Sequence, residues 1–189
     1  MSLDETLADS AVDDLPMAIR NGLPAAGHRR LDSLVGTYDV DKYTYFLGGT
    51  PENPIRSNLE CTIRWLDETG GRVMVVEDSG LLLGSPYFRR GLLSFATMDN
   101  RYEWVTIDNV TTAQMQFKGA PGSAAQDEIW MSGEFSDPGV LGDDYIGKNI
   151  RVRTLIRIDS PDQHVIEMHF KAPGEEEFLA DHMTCTRKK

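Results

Sequence analysis

At 189 residues, with 40% hydrophobic and 26% charged side chains, the chain has the size and composition of one ordinary globular domain. Its formal charge of −11 argues against partners that select clustered Lys and Arg, namely a nucleic-acid backbone or an anionic membrane surface. Its two cysteines, Cys61 and Cys185, lie far apart and outside any CxxC pairing, which excludes a cysteine-rich zinc site.

Residues 1–26 read as a helical leader. Leu3, Leu7, Val12, Leu15 and Ile19 recur at three- to five-residue steps, and Pro16 divides the run into short turns. The acidic residues Asp4, Glu5, Asp9, Asp13 and Asp14, with Arg20 and no apolar stretch, do not make a secretory signal. A cytoplasmic location with both thiols free is expected. Gly80 to Phe88 is as apolar as any charge-free stretch and falls short of the roughly 20 residues a membrane-spanning helix needs.

Residues 27–189 read as a single β domain. A short helix is predicted over Gly27–Val35, with Leu31, Leu34 and Val35 on one face and Gly36 as its stop. Strands are predicted near Thr37–Phe46, Ser57–Asp67, Arg72–Ser79, Phe88–Met98, Tyr102–Asp108, Thr112–Lys118, Glu128–Phe135, Asn149–Asp159, Gln163–Ala172 and Glu177–Arg187. Leu59, Cys61, Ile63 and Trp65 alternate with polar residues, as do Ile150, Val152, Ile156 and Ile158, the period of a sheet with one solvated face. Turn residues such as Gly70-Gly71, Asp99-Asn100, Pro161-Asp162 and Pro173-Gly174 fall between the strands. About ten short strands without intervening helices close most simply into an antiparallel meander barrel of lipocalin-like shape with short N-terminal helices. The competing architecture is a half-closed sheet wrapped round those helices.

The stretch His28-Arg29-Arg30-Leu31-Asp32-Ser33-Leu34-Val35-Gly36-Thr37-Tyr38 resembles the opening of a bacterial family of unknown function. Members of that family typically begin His-x-x-Leu-x-x-Leu-Val-Gly-x-Trp. The likeness continues through Gly70-Gly71-Arg72-Val73-Met74, Met98-Asp99 with Tyr102, Trp104 and Asp108, Ser132 to Pro138, and Pro173 to Arg187. Tyr38 stands for the family's Trp and Met98 for its Tyr. The resemblance implies a calycin-type barrel and carries no activity or functional residues with it.

Four groups of residues bear on chemistry. Tyr43, Tyr45, Trp65, Tyr102, Trp104 and Trp130 are candidates to line a cavity for a flat or greasy ligand; the competing role is core filling. Of Arg89 and Arg90 at most one can point inward, where a guanidinium would hold an acidic ligand; Arg90 is taken as the candidate, against a rim or ion-pair role. A hairpin turning at Gly174-Glu175 sets Lys171 opposite Phe178, His169 opposite Ala180 and Glu167 opposite His182. Glu167, His169 and His182 then share a face, as metal ligands or, on the competing reading, as solvated polar residues. Asp181 falls on the apolar face, to orient a ligand or to sit in a structural ion pair.

No Walker, dinucleotide or nucleophile-elbow motif occurs, so no cofactor is expected. The expected function is binding of a small apolar or amphipathic ligand in the barrel rather than catalysis. The alternatives are a homodimeric interaction module using the leader, and then a metal-assisted or acid/base enzyme built on Glu167, His169 and His182.

Overall fold

The structure, a computed structural model, describes residue 12 and residues 14–189. Residues 1–11 and 13 of the leader, and with them much of the segment expected to serve in dimerisation, lie outside the described residues. Within them, Pro16 precedes a single exposed turn, α1 (Met17–Asn21).

α2 (Ala26–Arg30) runs directly into a 3₁₀ turn over Leu31–Leu34. The predicted helix is therefore present, but its face differs. A 3₁₀ turn places residues three apart in line, so His28, Leu31 and Leu34 are buried together while Val35 turns to solvent.

The strands are β1 (Gly36–Thr44), β2 (Ile55–Trp65), β3 (Val73–Leu82), β4 (Ser85–Ala96), β5 (Arg101–Asp108), β6 (Met115–Lys118), β7 (Ile129–Ser136), β8 (Asn149–Ser160), β9 (Gln163–Lys171) and β10 (Phe178–Arg187). Each pairs antiparallel with the next, and β10 returns to β1, closing a ten-stranded meander barrel. Closure leaves no unpaired sheet edge.

Two local departures from the sequence-based expectation have clear causes. β6 begins at Met115 rather than Thr112, because one oxygen of Asp108 accepts the backbone N–H groups of Val110 and Thr111 and holds this stretch in a turn. β3 and β4 meet in a tight hairpin in which Leu82 pairs with Ser85, so the apolar run after Gly80 is sheet rather than connection. Its turn residues Leu83 and Gly84 both adopt positive φ.

The two ends of the barrel differ. At one end α2 and the 3₁₀ turn seal the interior. Tyr38 donates to the Leu34 carbonyl, Tyr102 to the Gly27 carbonyl, and His28 packs edge-on against Phe95. A Cβ on Gly27 would fall 2.6 Å from the Phe95 ring, so only glycine lets the helix approach this closely. Above this seal Trp104, Phe117, Met131, Ile150 and Met74 fill the interior. The opposite end is the mouth, framed by the connections that follow β1, β3, β5, β7 and β9.

Candidate functional site

The inward phase of β1 and of β4 becomes polar towards the mouth. On β1, Tyr38 and Val40 give way to Lys42 and Thr44; on β4, Phe95, Leu93 and Gly91 give way to Arg89 and Tyr87. Asp181 on β10, Asp78 on β3 and Thr106 on β5 complete a buried polar layer.

Lys42 and Asp181 form an ion pair at 2.7 Å, and Thr44 donates its hydroxyl to the same carboxylate. Asp181 thus takes the structural role, with a lysine of the adjacent strand as its partner. Arg89 is different. Its register neighbours are Asp78 on β3 and Asp108 on β5, yet neither forms an ion pair with it. Its Nη1 reaches only the thioether sulfur of Met168 at 3.7 Å, and its Nε and Nη2 have no hydrogen-bond partner among the described residues. The guanidinium lies 4.8 Å above the Trp104 ring. Burial pushes the Asp78 carboxyl up from its ordinary range, against the opposing influence of Arg89. Asp78 is therefore a weak counter-ion. The Cys61 thiol beside it is raised as well, by burial first and then by Asp78, so neither supplies a ready nucleophile.

Above this layer is a cavity of about 70 Å³ lined by Lys42, Tyr87, Arg89, Met168, Phe170 and Asp181 among others. It holds several waters or a small head group, well below the 300–1,000 Å³ typical of sites that enclose a whole drug-sized ligand. A second, more open groove of about 860 Å³ adjoins it and shares Phe46, Leu47 and Val140 as walls. Tyr45, Leu141, Tyr145, Ala172 and Phe178 extend it. Phe170 stacks with Phe46, Phe135 and Phe178 at 5.1–6.1 Å, forming an aromatic wall between cavity and groove.

Two carboxylates, buried Asp137 and half-buried Asp108, set the loops round the mouth. Asp137 accepts the backbone N–H groups of Gly139, Val140 and Leu141, fixing the groove wall after β7. Asp108 does the same after β5, and Asn109 bonds the backbone of both Pro86 and Phe88, tying that loop to β4.

The predicted aromatic cluster does not form around this cavity. Tyr45 lines the groove, but Tyr43 lies on the outer wall near His182 and under Arg56. Trp130 is also outside, between Arg153 and His169. Trp65 sits at the sealed end, donating its indole N–H to Asp32. Tyr102 and Trp104 are interior but belong to the packed core. Arg90 points outward and bonds Glu77, so the inward arginine is Arg89. Its phase follows from Leu93 and Phe95, two and three alternations further along β4. Apolar Phe88 and Leu92 on the opposite phase obscure that signal in the sequence.

The predicted pairing of Glu167 with His182 is present, but a bulge between Leu179 and Asp181 sets His169 opposite Leu179 and Phe178 opposite Phe170. Glu167, His169 and His182 do converge, on the outer wall, with one carboxylate oxygen 3.1 Å from each imidazole. The carboxylate is thereby occupied, and among the described residues no group of three or more His, Cys, Asp or Glu is arranged to hold a metal ion. Nor is any helix among them long and apolar enough to cross a membrane.

Solved structures support the architecture. Rv2717c from M. tuberculosis matches with 16% identity and a TM-score of 0.59, over 87% of this chain and 99% of that one. The S-type phycobiliprotein lyase CPES from Guillardia theta matches with 13% identity and a TM-score of 0.50, over 93% of this chain and 99% of that one. At these identities the likeness is one of fold. No curated protein matches the chain significantly. The model of a family described as proteins of unknown function, DUF1579, matches residues 23–187, almost the whole barrel and its helical seal, and the chain belongs to that family.

Proposed function

We propose that this protein binds a small amphipathic ligand at the mouth of the barrel, with one end in the cavity and the apolar body in the adjoining groove. The observation that carries this reading is the pairing of the two spaces: a small pocket with buried polar groups opens beside a larger aromatic-walled groove. Sites of this kind combine apolar surface with a few fixed polar groups. The packed core beneath Arg89 confines the ligand to the upper part of the barrel. Every residue that lines the cavity and the groove belongs to the barrel domain over residues 27–189, and no described residue of the leader over residues 1–26 does.

A neutral apolar dye, Nile red, tests the reading. Its fluorescence is expected to rise and shift to the blue on titration with the protein. Val140→Glu, which places a charge in the wall shared by cavity and groove, should weaken that binding at least tenfold. Absence of any fluorescence change with the unaltered protein, or binding indifferent to Val140→Glu, would overturn the proposal.

A further inference from the structure

Resting on that reading, we infer that the ligand is a monocarboxylic acid with an apolar chain, its carboxylate received by Arg89. The inference starts from an imbalance. Arg89 is 3% exposed, yet among the described residues two of its three guanidinium nitrogens have no hydrogen-bond partner and the third meets only a thioether. A buried charge in this state is costly unless something pairs with it. Lys42, the other cation lining the cavity, is already neutralised by Asp181 at 2.7 Å. Arg89 is the guanidinium left to receive an anion there.

The shape of the surroundings narrows the class. A guanidinium presents planar, forked donors that match the two oxygens of a carboxylate. The Trp104 ring lies 4.8 Å from the guanidinium carbon, a cation–π contact that supports the charge without satisfying its N–H donors. Lys42 and Asp181 cancel, which leaves Arg89 and the Asp108 carboxylate on the same cavity, so a dianionic phosphate head would bring two negative charges to one available cation. The small volume around Arg89 suits a head group, and the apolar chain then passes Phe46 and Val140 into the groove.

Competition against Nile red with three ten-carbon probes, decanoate, decanol and decyl phosphate, tests the inference at pH 7.5. Decanoate is expected to displace the dye at a concentration at least tenfold lower than decanol or decyl phosphate. Arg89→Met, with its fold checked by near-ultraviolet circular dichroism, should bring decanoate to the level of decanol. Equal potency of decanoate and decanol on the unaltered protein would overturn the role of Arg89 and leave the binding site standing. A preference for decyl phosphate would overturn the carboxylate assignment. Failure of all three to compete, on a protein that binds the dye, would overturn the ligand class altogether. Because the selectivity is read first on the unaltered protein, the inference stays testable even where Arg89→Met fails to fold.

Discussion

Lys42 and Asp181 face each other inside the barrel mouth at 2.7 Å, with their side chains only 5% and 6% exposed. They come from opposite ends of the barrel sequence and meet because β10 closes onto β1. Taking both charges out of water is costly, and their attraction offsets that cost only while both are present.

Removing one member should therefore be worse than removing both. Asp181→Leu is expected to lower unfolding free energy by about 3–5 kcal/mol, because it leaves a buried ammonium without its counter-ion. The double variant Lys42→Met with Asp181→Leu should recover most of that loss. Urea unfolding of the two single variants and the double provides the cycle. Simple additivity of the two single losses would contradict a coupled pair.

Gly91 and Trp104 are bound by a similar dependence. A Cβ on Gly91 would lie 2.1 Å from the Trp104 indole nitrogen, so the ring occupies space that only glycine leaves empty. Gly91→Ala should cost about 1–3 kcal/mol by overpacking. It should also disturb the support under Arg89, weakening decanoate displacement more than decanol displacement. Chemical unfolding and the dye competition measure the two effects; an unchanged midpoint would refute the contact.

His164 makes stability depend on acid. It is buried edge-on against Tyr38, and its pKa is lowered to about 4, by burial first and then by Arg187. The unfolded chain takes up this proton near pH 6.5, whereas the folded chain stays neutral until about pH 4. Between those values the unfolded state binds more protons, so stability falls as pH falls and levels off below the folded value. The contribution amounts to roughly 3 kcal/mol. His28 is shifted in the same direction, by burial and by Arg72 and Arg29, and adds to the same slope. The difference between the unaltered protein and His164→Phe isolates one residue. Parallel stability curves from pH 7 to pH 4 would count against it.

Leu83 is a site where stability can be gained. It is 60% exposed and holds φ at +52° in the β3–β4 turn. A left-handed backbone costs a branched side chain about 1–2 kcal/mol, and Asn adopts it far more readily. Leu83→Asn should raise unfolding free energy by about 0.5–1 kcal/mol with little loss of buried surface. A thermal midpoint that falls would mean Leu83 makes contacts that outweigh the turn.

The relation between sequence and site is uneven along the chain. In β2, Leu59, Cys61 and Ile63 face inward as their alternation requires, because polar residues occupy every intervening position. In β4 both phases carry apolar residues, and the choice between Arg89 and Arg90 fell to the neighbours. Asp78 and Asp108 flank Arg89 on the inside, while Glu77 takes Arg90 on the outside. Tyr43, Trp65 and Trp130 show the same limit. An aromatic residue suits a core, an outer wall or a cap equally well, and only the phase of its strand decides among them.

Alternation and turn chemistry alone determined about ten antiparallel strands, a short helix before the first of them and an inward Asp181, because these depend on a residue and its near neighbours along the chain. Closure of β10 onto β1, the bulge before Asp181 and the incomplete pairing of Arg89 were decided by the tertiary structure. Each depends on distances between side chains far apart in sequence, and a charge becomes unpaired only once the surrounding strands have fixed which groups can reach it.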